Sequence, residues 1–139
     1  MSKEVLKFTQ NLLEFSDEEM KVFMENPKNL EILKKAPELM KKTIIVEVVK
    51  SHGCAVQHRV GDKLYFTGDG SLLTKLCPSR VCMSALNAVG GLVSNAVTLM
   101  MVGQDPNEMP FKIAGCSDVG LECGGWGNIV MEIRVEDRK

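Results

Sequence analysis

Histidine is scarce in this 139-residue chain, which has only two, and neither sign of charge dominates. Lysine and arginine total 17 and aspartate and glutamate total 18, so the net charge is −1. A surface that binds nucleic acid or an anionic membrane needs a clear excess of basic residues. The composition therefore predicts no nucleic-acid partner and no membrane partner.

The sequence has no apolar run long enough to span a bilayer, and its N-terminus lacks the basic start and apolar core of a secretory signal. We therefore expect a cytoplasmic protein. Thiols stay reduced in the cytoplasm, so the five cysteines are expected to be metal ligands, reactive thiols or core residues rather than a disulfide framework.

Motifs that would name a reaction are also missing. No glycine-rich phosphate-binding loop follows a predicted strand, and no close C-x2-C pair typical of zinc ribbons or ferredoxins is present. No repeat, low-complexity segment or linker divides the chain. The length therefore predicts a single domain covering residues 1–139.

Glycine and cysteine are both absent from residues 1–42. This segment carries eight lysines and eight acidic residues, and its apolar residues recur at helical spacing. Ser16 with Glu19, and Asn26 with Pro27, are typical helix starts, so we expect about three helices. These helices should cover apolar surface, either on the same domain or in a homodimer, another homo-oligomer or a larger enzyme complex.

Residues 43–139 predict two strands, a long helix and two further strands. The first strand is the β-branched run at 43–49, and the second lies near 63–66 before a glycine-rich turn. An apolar stripe predicts a buried helix from Pro78 to about residue 102, and alternating segments predict the last strands. The fold class is therefore α+β: an N-terminal helical segment followed by a β-β-α-β-β domain with an antiparallel sheet.

Four of the five cysteines fall at the ends of predicted elements. Cys54 follows the first strand, Cys77 directly precedes the central helix, Cys116 follows the third strand, and Cys123 begins the CGGWG loop. His58 lies four residues after Cys54, so both side chains can turn to one side. Cysteine and histidine ligands gathered from separate loops suit a zinc ion or an iron–sulfur cluster. The leading hypothesis is a metal-binding protein with these five residues as ligands.

A metal-free thiol protein is the first alternative. At the N-terminus of the central helix, the thiolate of Cys77 would be stabilised by free N–H groups and the helix dipole, although Cys77 could equally be an ordinary cap. His58 would then be the base, and Cys116 or Cys123 a resolving thiol. Cys82 lies on the apolar stripe and is expected to be a buried core residue. The second alternative is a non-catalytic accessory or oligomerisation protein.

Three segments, GCAVQHRVGDKLYF, LCPSRVCMSALNAV and AGCSD, resemble an uncharacterised family of small prokaryotic proteins. The family pattern is a C-x-x-x-H-[KR]-V-G-D segment, a C-P helix start and a later cysteine before the final strand. The resemblance covers about residues 43–136, and it implies a site but not a reaction. The matching positions are Cys54, His58, Gly61, Asp62, Cys77, Pro78 and Cys116. The helical N-terminus, Cys82 and Cys123 depart from this pattern.

Overall fold

A computed structural model describes all residues of the chain, 1–139. The residues form two compact units, Met1–Pro37 and Glu38–Lys139. Four α-helices and a four-stranded antiparallel sheet confirm the α+β class. The single domain expected for residues 1–139 stays a prediction.

The first unit is helical, as the sequence predicts. Its helices are α1 (Lys3–Leu13), α2 (Asp17–Glu25) and most of α3 (Pro27–Leu39). The predicted start of α2 is confirmed, because Ser16 Oγ accepts the Glu19 N–H at 3.1 Å and Glu19 Oε1 accepts the Ser16 N–H at 3.0 Å. The start of α3 is confirmed too, since Asn26 accepts the Lys28 N–H at 3.0 Å just before the first helical turn.

The second unit is built on an antiparallel sheet with the strand order β2-β1-β4-β3. Its strands are β1 (Lys42–His52), β2 (Lys63–Thr67), β3 (Ile113–Gly115) and β4 (Asn128–Asp137). The long central strands pair from Lys42 with Asp137 to His52 with Asn128. The alternation predicted for the last strand is confirmed, because every second residue of β4 faces the core. The buried residues are Ile129, Met131, Ile133 and Val135.

Helix α4 (Met83–Met101) packs against the core-facing side of this sheet. It does so through small and β-branched residues, which are Ala85, Val89, Val93 and Ala96. By length and composition α4 could cross a membrane, so the expectation that the sequence has no such stretch is wrong. One side of α4 belongs to the hydrophobic core. Two short 3₁₀ turns, η1 (Pro106–Glu108) and η2 (Leu121–Cys123), lie in the loops after α4. A cytoplasmic location stays a prediction.

The start of α4 differs from the sequence-based prediction. The helix begins at Met83 with Cys82 as its N-cap, and the segment from Pro78 onward is irregular until then. Pro78 and Val81 instead line a cavity against the sheet, so burial of these side chains replaces the expected first helical turn. The expectation that Cys77 lies at the N-terminus of the helix is therefore wrong. The expectation that Cys82 lies within the helix is also wrong.

Candidate functional site

Cys54 and Cys116 lie at the end of the sheet where β1 ends and β4 begins. Cys54 comes directly after Gly53, where the chain leaving β1 packs closely against the backbone at Gly127. A Cβ on Gly53 would lie only 3.2 Å from the Gly127 Cα. Cys116 follows β3 and is held against β4. Its N–H donates to the Ile129 carbonyl at 3.1 Å, and its Sγ accepts the Ile129 N–H at 3.4 Å. Both thiols are half-buried and pack against the hydrophobic core.

His58 is buried at the same end of the sheet and connects it to the start of α4. The Ser51 hydroxyl donates to the His58 carbonyl at 2.6 Å, which ties this residue to the last part of β1. The ring Nε2 accepts the Cys82 N–H at 3.1 Å. An Nε2 that accepts a hydrogen bond presents its lone pair to the donor, and the ring Nδ1 lies 3.9 Å from the Asp62 carboxylate. His58 thereby fixes the position of the α4 N-terminus.

Cys82 is half-buried at the N-cap of α4. The backbone N–H groups of Ala85 and then Ser84 lower the pKa of its thiol, although neither makes a full capping hydrogen bond. Partial burial acts in the opposite direction and is the smaller effect. The first N–H groups of a helix have no partner inside the helix and carry the positive end of its dipole. Such a position favours the thiolate over the thiol.

A narrow cavity lies between the start of α4 and the sheet. The space inside it is small, about 10 Å³, which is room for at most one water molecule. Apart from His58, Asp62 and Lys63, its walls are apolar. They are formed by Val46, Val48, Leu64, Pro78, Val81, Ala85, Ile129 and Met131. His58 therefore makes its bond to the Cys82 N–H in apolar surroundings, where a hydrogen bond is stronger and an unpaired group costs more than in water.

Cys77 lies away from this end, beside the outer edge of β2. Its Sγ accepts the Tyr65 N–H at 3.4 Å and donates to the Leu73 carbonyl at 3.3 Å. Because β2 is an edge strand, the thiol supplies a partner for a backbone group that no neighbouring strand satisfies. This structural role accounts for Cys77 without a reaction.

Cys123 is exposed in the η2 turn. The surrounding loop is organised by Asp118, whose Oδ1 accepts the N–H groups of Gly120 at 2.9 Å and Trp126 at 3.0 Å. These bonds hold the pKa of the Asp118 carboxyl below its usual range, with the Gly120 N–H as the main cause. The carboxylate therefore stays ionised at neutral pH and orders the loop, while Cys123 is left at the surface.

The predicted metal ligands do not form a metal-binding group. No set of three or more His, Cys, Asp or Glu side chains is arranged to hold a metal ion. Cys54, His58 and Cys116 share one end of the sheet, but Cys77 lies at the β2 edge and Cys123 is exposed. The zinc or iron–sulfur hypothesis has no support from this geometry and stays a prediction.

Cys82 is the residue that the sequence-based reasoning missed. One signal could have identified it, because the apolar stripe of the helix begins at Cys82 itself. Between Pro78 and Val81 lie only the polar residues Ser79 and Arg80. A helix start at Cys82 is therefore as consistent with the pattern as a start at Pro78.

Comparisons with known protein families, with curated proteins and with solved structures found no match. The resemblance of three segments to an uncharacterised prokaryotic family stays a prediction.

Proposed function

We propose that this is a thiol-dependent redox or nucleophilic protein whose reactive group is the Cys82 thiolate. The observation that carries the proposal is the N-cap position of Cys82, where N–H groups of the first helical turn lower the pKa of its thiol. The thiolate is the nucleophilic form of cysteine, so a lowered pKa raises its population at neutral pH. Cys82 is also partly accessible to a reactant.

His58 supports this site as a positioning residue rather than as a base. Its Nε2 already accepts the backbone N–H of Cys82, so that nitrogen has no lone pair free for the thiol proton. The ring instead holds the helix start in place, and with it the N–H groups that stabilise the thiolate. In this proposal the N–H groups at the helix terminus stabilise the thiolate, and His58 does not act as the general base that the sequence suggested.

Limited alkylation with iodoacetamide near pH 6.5 tests the proposal. We expect Cys82 to be modified several-fold faster than Cys54 or Cys116, because a thiol with a lowered pKa keeps more thiolate at this pH. Trypsin places Cys54 in peptide 51–59, Cys77 in 76–80 and Cys82 in 81–112, while Cys116 and Cys123 share 113–134 and are distinguished by fragmentation of that peptide. Mass spectrometry of these peptides gives the order of modification.

The exposed Cys123 is the matched control for accessibility. A Cys123→Ser variant should leave the rate at Cys82 unchanged. Faster modification of Cys123 than of Cys82 at this pH would mean that exposure, not thiolate character, governs reactivity. Joint protection of Cys54, Cys77, Cys116 and Cys123 by one equivalent of added zinc would instead support the metal-binding hypothesis.

Association through the N-terminal helices is a second candidate function, favoured by α1. Three apolar side chains at helical spacing point outward, with Val5 39%, Phe8 67% and Leu12 68% exposed. Exposed apolar stripes of this kind mark interaction surfaces. We expect the protein to elute from size-exclusion chromatography as an oligomer, and the double variant Phe8→Lys, Leu12→Lys to elute as a monomer. Asn11→Lys, on the same helix, should change nothing, whereas identical elution of all three proteins would contradict this role.

A further inference from the structure

The loop that joins β3 to β4, residues 116–127, carries three large apolar side chains at the surface. Val119 is 63% exposed, Leu121 80% and Trp126 73%. We propose that this loop is a docking surface for a protein partner whose apolar contact site is bordered by lysine or arginine. The inference goes beyond the proposed function, since it concerns a different loop and another kind of interaction.

The loop is held in one conformation by its own hydrogen bonds. Asp118 Oδ1 accepts the N–H groups of Gly120 at 2.9 Å and Trp126 at 3.0 Å, so one carboxylate joins the two sides of the loop. The Gly125 N–H donates to the Gly120 carbonyl at 2.8 Å. A Cβ on Gly125 would overlap the Asp118 carboxylate, so only glycine fits there. A surface that is ordered before binding loses less conformational entropy when a partner docks.

The three apolar side chains project from this ordered backbone. Val119 lies between the two residues of the Asp118–Gly120 bond, Leu121 begins η2, and Trp126 is fixed through its own N–H. Exposed apolar side chains grouped on one surface mark interaction sites. Tryptophan is enriched among the residues that contribute most to binding in protein interfaces. The loop therefore has the composition of an interface rather than of an ordinary solvated turn.

The charge of the loop determines which partner fits. Residues 113–133 contain three acidic residues and no lysine, arginine or histidine. Within the loop, Glu122 is exposed and makes no ion pair. The bonds to Asp118, led by that from the Gly120 N–H, lower the pKa of its carboxyl, so this group is ionised at neutral pH. Basic groups around an apolar contact site complement these carboxylates, whereas a second copy of the loop or an anionic surface would repel them.

Fluorescence of Trp126 tests the proposal directly, because it is the only tryptophan in the chain. The probe is a synthetic amphipathic peptide of leucine and lysine, added to the full-length protein with a thiol reductant present. We expect the emission maximum to move to shorter wavelength and to saturate with peptide, as the indole leaves water. Added salt should weaken this binding. A peptide with glutamate in place of lysine should leave the emission unchanged.

Surface substitutions locate the binding site on the loop. Glu122→Lys should weaken binding of the lysine peptide several-fold, because it reverses a charge next to Leu121. Leu121→Ser should also weaken binding, by removing an apolar contact. Both side chains are exposed, so these variants should fold as the wild type does. Glu108→Lys is the matched control, since this exposed carboxylate lies in η1 outside the loop, and its affinity should equal that of the wild type.

Three results would overturn the proposal. The first is an emission maximum that moves with neither peptide, and the second is an equal shift with both. The third is an equal loss of affinity in Glu122→Lys and Glu108→Lys, because the overall charge of the protein, rather than this loop, would then govern binding. None of these measurements involves Cys82, so failure of the docking surface and failure of the proposed function can be told apart.

Discussion

Gly127→Ala is expected to destabilise the fold by about 3–5 kcal/mol, within the range of severe overpacking substitutions. A Cβ at this buried position would lie far inside van der Waals contact of the His52 carbonyl and of the Gly53 backbone. These neighbours are backbone atoms, so the strain could be relieved only by separating β1 from β4 where His52 pairs with Asn128. The shift in the urea midpoint measures the cost.

Gly90→Ala is the matched control for this substitution. Gly90 is exposed on α4, and a Cβ there would meet no atom within 4 Å. Alanine in an exposed helix interior is better than glycine by about 0.5–1 kcal/mol, so the control should be slightly more stable than the wild type. An unchanged midpoint for Gly127→Ala would mean that the two strands do not meet as closely as described.

His58→Ala is expected to cost about 2–4 kcal/mol and to release the start of α4. The ring is 6% exposed and lines an apolar cavity, so its removal leaves unfilled space. The same change leaves the Cys82 N–H without its acceptor. Chemical denaturation measures the first effect, and amide exchange at Cys82 and Ala85 measures the second.

His58→Gln separates packing from hydrogen bonding. The glutamine side-chain oxygen can occupy the place of Nε2 and accept the Cys82 N–H, so amide protection at the helix start should largely return. If His58→Gln and His58→Ala lose the same protection, the ring would matter only as a packed group. Its role in positioning the thiolate would then be wrong.

The sequence predicts most elements because their signals are local. The capping box of Ser16 and Glu19 lies within four residues, and the alternation of β4 lies within one strand. Neither depends on distant contacts. Local sequence patterns were therefore enough to predict the N-terminal helices, the order of the strands along the chain and the buried face of β4.

The candidate site is less predictable because it depends on tertiary contacts. The residues at 77–83 allow two helix starts, one with Pro78 at the first helical position and one with Cys82 as the N-cap. Packing of Val81 against the sheet selects the later start. The bond from Tyr65 to Cys77 joins residues twelve apart, so the edge role of Cys77 has no local signal. The contact of His58 with the Cys82 N–H joins residues 24 apart, so it too has no local signal.

The pH dependence of Cys82 alkylation in the folded and the urea-unfolded chain tests the central claim most directly. In the folded protein the Ala85 and Ser84 N–H groups stabilise the thiolate, so the pKa of Cys82 is lowered and alkylation should reach half its maximal rate at a lower pH. Unfolding removes these groups and should return the midpoint to that of an ordinary thiol. A folded midpoint equal to or above the unfolded one would contradict the assignment of Cys82 as the reactive thiolate.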